Sequence, residues 1–108
     1  MSPYLTTLKA ARIWEKAEKV EGYNPNIWRK DFAGAWIRKH DYGQRTMYGW
    51  SIDTVCPLSC GGKMDIDNLV PIHWRNNICK ADNYPCFKSC ITSKDNKNIF
   101  LVQEWQII

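Results

Sequence analysis

The stretch YGWSIDTVCPLSCGGKMDIDNLVPIHWRNNICKAD, residues 48–82, decides the fold of this chain. It begins with a β-favouring run at residues 48–52. Residues 56–68 follow, and because they are rich in turn-forming residues they predict a surface loop. Asn68 ends the loop, and the apolar and aromatic positions after it predict a short helix that begins near Pro71. The stretch therefore predicts a strand, a long loop and a short helix.

Two further elements flank this stretch. Ser2-Pro3 has the form of a helix N-cap followed by proline at the first helical position, and apolar residues then recur at helical spacing, so residues 3–20 are predicted to form a helix. Near the C-terminus, two β-favouring runs surround the polar loop KDNK and predict a β-hairpin over about residues 88–103. The predicted fold class is α+β, in one domain that spans residues 1–108.

The composition is that of an ordinary water-soluble protein. Apolar residues make up 44% and charged residues 24%, and no apolar run approaches the ~20 residues that a membrane span requires. The N-terminal residues carry charges and lack an uninterrupted apolar core, which argues against a secretory signal. We therefore expect a cytoplasmic protein without a membrane partner. The net charge of +4 is compatible with phosphate-bearing or acidic partners.

The central stretch resembles the HNH endonuclease superfamily, and the likeness extends upstream. Residues 24–50, NPNIWRKDFAGAWIRKHDYGQRTMYGW, are similar to small bacterial and phage HNH proteins, in which the motif N-P-x-x-x-R-K-D-x-x-G-A-W-I precedes the site. The resemblance covers roughly residues 10–92. It implies an HNH-like domain whose ββα-metal core, at about residues 46–82, surrounds one divalent cation and cleaves phosphodiester bonds.

One residue departs from the pattern of the superfamily. There the first strand ends in Asp-His, where the aspartate commonly binds the metal ion and the histidine activates water. Asp53 holds the aspartate position, whereas Thr54 stands where the histidine belongs. A threonine hydroxyl cannot accept a proton near neutral pH, and losing a positioned base costs ~10²–10⁴-fold in rate. His73 is a candidate for a substitute base. Similar sequences often carry His-Trp at this position and still keep the strand histidine, which implies instead a packing or phosphate-contact role for His73.

Two asparagines match the other signature positions of the superfamily. Asn68 matches the residue that braces the loop, with a helix N-cap as the alternative role. Asn77, nine residues later, matches the helix position that binds the metal ion through its side chain. Asp53 and Asn77, with water in the remaining positions, suit a weakly bound Mg²⁺, which prefers oxygen ligands and retains several waters.

Two cysteine pairs permit a second kind of metal site. CPLSC and CFKSC repeat the spacing Cys-x-x-x-Cys, which allows a structural zinc ion to be held by four thiolates. The candidate ligands are Cys56, Cys60, Cys86 and Cys90. The alternative is that all the cysteines are reduced and partly buried, as in many cytosolic proteins.

Several basic residues bracket the predicted site and are candidates for contact with nucleic acid or with a protein partner. A solvated surface is the alternative. These residues are Arg38, Lys39, Arg45, Arg75 and Lys80.

The missing histidine leads to the predicted function. A fold that keeps its shape without its base is expected to have kept a binding surface. We therefore expect a catalytically impaired HNH-like protein that acts as a binding module, for example a phage or mobile-element inhibitor of a host nuclease or defence complex. Two alternatives are an HNH endonuclease with weak or unusual nicking activity and a DNA-binding protein that does not cleave. The sequence leaves the partner and the oligomeric state open.

Overall fold

The computed structural model describes the backbone of residues 3–107 and the side chains of residues 9–107. The elements, in chain order, are α1 (Pro3–Trp14), β1 (Trp28–Lys30), β2 (Trp36–Arg38), β3 (Trp50–Thr54), β4 (Leu69–His73), α2 (Trp74–Lys80), β5 (Cys86–Lys94) and β6 (Lys97–Gln106). The strands pair as three antiparallel two-stranded sheets, β1 with β2, β3 with β4 and β5 with β6. The α+β class is therefore confirmed. Within the described part of the chain, no helix has the length and apolar character to cross a membrane.

The N-terminal helix is shorter than predicted, because it ends at Trp14 and not at residue 20. The buried guanidinium of Arg29 donates hydrogen bonds to the carbonyls of Trp14, at 3.4 Å, and Glu15, at 3.1 Å. Carbonyl groups at the end of a helix lack partners within the helix, so a buried arginine can satisfy them and stabilise the end. Ser2, the predicted N-cap, lies outside the described residues.

A strand occupies the position where the sequence predicted the start of a helix. Pro71 lies within β4 and pairs with Ile52 of β3, and α2 begins only at Trp74. Proline is tolerated at this position because every strand of a two-stranded sheet is an edge strand. The order from residue 50 to residue 80 is thus strand, loop, strand, helix.

The main apolar core joins α1 to the start of β3. The rings of Trp14 and Trp50 lie 5.3 Å apart between centroids and are almost completely buried, with Ile37 packed in the same cluster. Each indole also satisfies its polar group, because Trp14 Nε1 donates to the Pro25 carbonyl and Trp50 Nε1 to the Arg38 carbonyl, both at 2.9 Å. The two buried indoles, with their N–H groups satisfied, hold in place the first residues of β3, the strand that carries Asp53.

A buried polar network holds α2 against the turn between β1 and β2. The carboxylate of Asp31 is 2% exposed and accepts from the backbone N–H groups of Ala33, Ala35 and His73 and from the side-chain amide of Asn76, at 2.9–3.0 Å. Burial raises the pKa of the Asp31 carboxyl, and these four hydrogen bonds oppose that shift. The Asp31 carboxylate therefore connects the turn between β1 and β2 to both β4 and α2.

Asn76 extends the network into the C-terminal hairpin. Its amide oxygen accepts from the N–H groups of Cys90, at 2.9 Å, and Ile91, at 2.7 Å, and its amide nitrogen donates to the Ile91 carbonyl. The register of β5 with β6 shifts at this point, between Ser89 and Ile91. Because a shift of register leaves backbone groups unpaired within the sheet, the buried amide completes their hydrogen bonds.

The C-terminal hairpin is longer than the predicted residues 88–103. β5 and β6 extend to Cys86 and Gln106, and Lys94 pairs with Lys97, so the connection is a two-residue turn and not a four-residue loop. The first turn residue, Asp95, has a φ of +55°, a conformation that aspartate adopts more readily than most residues. From Ile91 to the tip the pairing of β5 with β6 is continuous, and the register shift lies before Ile91.

Candidate functional site

Asp53 lies near the end of β3, opposite Val70 of β4. Its Oδ2 atom is buried and has no hydrogen-bond partner among the described residues. Burial raises the pKa of the Asp53 carboxyl; a hydrogen bond from the Thr54 backbone and the charge of Lys80 oppose this shift, and the charge of Asp82 adds to it. The site thus contains a carboxylate oxygen that needs a positive or hydrogen-donating partner.

Helix α2 presents two side chains to the face of β3 that carries Asp53. Ser51 and Asp53 lie on the same face, because side chains alternate along a strand. Asn77 Nδ2 donates to Ser51 Oγ at 2.9 Å, so the hydrogen bond uses the nitrogen and leaves the amide oxygen for other partners. Lys80 lies almost one turn later, 2% exposed, and its Nζ has no hydrogen-bond partner in the described part of the chain.

Neither Thr54 nor His73 offers a free base beside Asp53. Thr54 is half-buried at the end of β3, where it pairs with Leu69. In His73, Nδ1 accepts from the backbone N–H of Arg75 at 3.1 Å, so the proton is on Nε2, which donates to the Met47 carbonyl at 2.9 Å. Both ring nitrogens are therefore engaged.

Burial of the His73 ring also disfavours its protonated form. Burial lowers the pKa of the imidazole below its ordinary value of 6.5, and its interactions with the Met47 carbonyl and the Asp31 charge oppose the shift only in part. His73 thus bonds within the fold through both ring nitrogens at the junction of β4 and α2.

The donor set around Asp53 fits a divalent cation only weakly. The unpaired oxygen of Asp53 suits an oxygen-seeking ion, and the amide oxygen of Asn77 is a second suitable ligand type. The buried ammonium of Lys80, however, already supplies positive charge to Asp53 and repels a dication. Two oxygen ligands beside a cationic side chain would hold Mg²⁺ loosely, with water completing its coordination.

The loop between β3 and β4 is closed by Asn68. Its Oδ1 accepts from the N–H of Cys56 at 2.8 Å, and its Nδ2 donates to the carbonyls of Cys56, at 2.9 Å, and Lys63, at 2.8 Å. Gly62 packs against the Cys56 backbone, so closely that an added Cβ would lie 1.8 Å from the Cys56 carbonyl oxygen. Asn68 therefore braces the loop, and glycine is required at position 62.

The predicted zinc ligands are not gathered into one group. Among the side chains of residues 9–107, no three of the types His, Cys, Asp or Glu lie together as a metal site would require. Cys90 contacts Cys79, the cysteine that the zinc prediction omits; burial, and a hydrogen bond with Cys79 that stabilises the protonated Cys90 thiol, raise the pKa of this thiol to about 12. Cys60 and Cys86 are exposed, and all five cysteines are free. The zinc site stays a prediction without structural support.

The five predicted contact cations fall into different environments. Lys80 is buried, so it is not available to nucleic acid or to a protein partner, and this prediction is corrected. Arg38 forms an ion pair with Asp41 at 3.0 Å and leaves 43% of its side chain exposed. Lys39 is half-buried on the short turn that follows β2. Arg45 and Arg75 are exposed.

Arg45 and Arg75 meet at one aromatic ring. Their guanidinium carbons lie 5.6 Å and 4.9 Å from the ring centroid of Trp74, distances typical of cation–π contacts. The indole N–H of Trp74 donates to the Thr46 carbonyl at 2.7 Å, which fixes the ring. A cavity lined by Arg45, Trp74 and Asn77 lies on the side toward the Asp53 face.

Two exposed residues near these arginines, Met47 and Phe100, are not among the predicted contacts. The signal that could have found Phe100 is the run IFLV at residues 99–102. A two-stranded hairpin can cover only one of its faces, so an uninterrupted apolar run in such a hairpin must leave side chains exposed.

No protein-family model, curated protein or solved structure matches this chain. The resemblance to the HNH superfamily therefore depends on the motifs of the chain itself.

Proposed function

We propose that this chain is a catalytically impaired HNH-like protein that binds a macromolecular partner and does not cleave nucleic acid. The observation that supports the proposal best is the state of His73. Both nitrogens of this imidazole are bonded within the fold, and Thr54 stands beside Asp53, so neither side chain can accept the proton of an attacking water.

The order β3, β4, α2 supports the HNH-like part of the proposal. The carboxylate of Asp53 and the amide of Asn77 come from a strand and a helix that pack together, and Asn68 closes the intervening loop. These three residues stand at signature positions of the superfamily, whereas the position of its histidine is held by Thr54. The charge of Lys80 near Asp53 favours weak Mg²⁺ binding at most, which is consistent with a site that has lost its catalytic use.

A plasmid-nicking assay tests the proposal. Purified protein is incubated with supercoiled plasmid and Mg²⁺ or Mn²⁺, beside an Asp53→Ala variant prepared in parallel. We expect no conversion to open-circular plasmid by either protein. Nicking by the natural chain that disappears in Asp53→Ala would contradict the proposal and favour the alternative of a working endonuclease.

A gain-of-function variant tests the reason for the impairment. Thr54→His restores an imidazole next to Asp53, and Thr54→Ser is the matched control because it keeps a hydroxyl group. Metal-dependent nicking by Thr54→His alone would demonstrate that the base is the missing component. If neither variant nicks, the remaining donors do not hold a useful metal ion, and the HNH-like metal site would be abandoned.

A non-cleaving DNA-binding role is the second candidate, favoured by the exposed guanidinium groups of Arg45 and Arg75. Binding to phosphates weakens steeply with salt, because each neutralised phosphate releases counterions. A gel-shift titration over a series of salt concentrations distinguishes this role from binding to a protein. Such a protein partner, in the proposed role of an inhibitor from a phage or mobile element, would be a host nuclease or defence complex.

A further inference from the structure

A cavity of about 410 Å³ opens between the segment before β3, the start of α2 and β6. Six side chains from these three elements line most of it, and we call them the arginine–phenylalanine surface. They are Arg45, Met47, Trp74, Arg75, Ile99 and Phe100.

The polar part of this surface is held in place by the fold. The indole of Trp74 is anchored to the Thr46 carbonyl, and the guanidinium groups of Arg45 and Arg75 lie against that ring. The Met47 carbonyl accepts hydrogen bonds from His73 and Asn98, at 2.9 Å and 3.1 Å. Because these groups are already ordered, binding to them would cost little conformational entropy.

The apolar part of the surface consists of several exposed side chains and not of a single one. Phe100 is 71% exposed and Met47 68%, and the apolar run continues along β6 through Leu101 and Val102, at 49% and 51%. Contiguous exposed apolar side chains rimmed by charge mark interaction sites in folded proteins. Arginine, tryptophan, phenylalanine and methionine are also the residue types enriched at the centres of protein interfaces.

We propose that the arginine–phenylalanine surface docks an acidic, apolar segment of a protein partner. Carboxylates would pair with the two guanidinium groups, and apolar side chains would cover Phe100 and its neighbours on β6. A nucleic-acid backbone would satisfy the arginines but would leave the aliphatic run of β6 in water. A second copy of this chain is disfavoured, because a symmetric contact through this surface would bring Arg45 and Arg75 against the same arginines of the other copy.

This inference rests on the proposed binding function and names the partner's chemistry. Its test measures binding and not cleavage, so the two proposals can fail separately: nicking activity would contradict the first, whereas the outcomes below concern only the second.

The test uses a fluorescein-labelled peptide of ten residues, the length of β6, in which glutamates alternate with leucine and phenylalanine. Fluorescence anisotropy measures its binding to the intact chain. One comparison peptide replaces glutamate by glutamine, another replaces the apolar residues by serine, and a single-stranded oligonucleotide of the same length is the third probe. We expect only the acidic apolar peptide to bind well, with a Kd of ~10 μM.

Variants connect that binding to the surface. Phe100→Ser and Arg75→Gln should each weaken peptide binding at least ~10-fold, as expected of residues at the centre of an interface. The matched controls are Leu58→Ser, which is also an exposed apolar residue at 57% exposure, and Arg12→Gln, an exposed arginine on α1. Both controls should leave the affinity unchanged.

Four results would overturn the proposal. They are no peptide binding at concentrations on the order of 1 mM, binding that Phe100→Ser and Arg75→Gln do not weaken, tighter binding of the oligonucleotide than of the acidic apolar peptide, and self-association in the ultracentrifuge that Phe100→Ser abolishes. The last result would identify a second copy of the chain as the occupant.

Discussion

Replacing Asn76 by alanine should destabilise this fold far more than the same change at its neighbour Asn77. The side chain of Asn76 is completely buried and makes four hydrogen bonds, one to the Asp31 carboxylate and three to backbone groups of β5. Asn77 is half-buried, and its side chain makes one hydrogen bond, to Ser51 Oγ. The two adjacent asparagines therefore form a matched pair.

The expected magnitudes follow from these contacts. Asn76→Ala leaves two buried N–H groups of β5 without an acceptor, removes a donor from one carbonyl and removes one hydrogen bond from Asp31. Each buried unsatisfied group costs ~1–3 kcal/mol, so the free energy of unfolding should fall by roughly 3–6 kcal/mol. The total stability of a small domain is only about 5–15 kcal/mol. For Asn77→Ala, the expected loss is ~0.5–1.5 kcal/mol.

Urea unfolding followed by tryptophan fluorescence measures both variants, because the chain contains six tryptophans. A second variant, Asn76→Asp, keeps the shape of the side chain but places a carboxylate against that of Asp31, and it should also be strongly destabilising. If Asn76→Ala unfolds at the same urea concentration as Asn77→Ala, the buried network contributes little and the account of how α2 is held is refuted.

Three further predictions concern the loop between β3 and β4, the turn between β1 and β2, and the buried histidine. Asn68→Ala should lower stability by ~2 kcal/mol and speed amide exchange in residues 56–63, because three hydrogen bonds are lost; unchanged exchange would show that the loop is held otherwise. Gly34→Ala should cost more than ~1–2 kcal/mol in urea unfolding, because φ is +89° and the new Cβ would lie 2.8 Å from Thr92 Oγ1; adding Thr92→Ala should recover only the part due to contact. The depressed pKa of His73 contributes stability that is present above its unfolded pKa of about 6.5 and is lost as the pH falls toward its folded value. Stability should therefore decline below about pH 6.5 more steeply in the natural chain than in His73→Gln, and equal slopes would contradict this.

The local pattern of the sequence predicts the elements better than it predicts their ends. The turn-rich loop and the C-terminal hairpin follow from short-range rules, and the structure contains both. The closing of the loop by Asn68 was implied by the resemblance to the HNH superfamily and not by a short-range rule. The apolar spacing predicts that the first helix continues to residue 20. The helix ends at Trp14, whose carbonyl accepts a hydrogen bond from the Arg29 guanidinium. The strand around Pro71 was missed, because its pairing partner, β3, lies on the other side of the loop.

For the candidate site, too, some properties follow from the sequence and others only from the structure. That position 54 carries a hydroxyl group and not an imidazole is a property of the sequence, and so is the presence of a carboxylate beside it at position 53. Burial could not be inferred for the charged residues: Arg29 and Lys80 belong to a type that is usually exposed, yet both are 2% exposed here.

The sequence by itself determined which chemical groups this protein has, and the tertiary structure decided which of them are free to act. Asp31 accepts hydrogen bonds from the backbone N–H of His73 and the side-chain amide of Asn76, which lie 42 and 45 residues further along the chain. The Met47 carbonyl accepts from the His73 imidazole, a side chain that the sequence leaves open as a candidate base. The physical reason is that a polar side chain takes its role from the partners it meets when water is removed, and those partners come from distant parts of the chain.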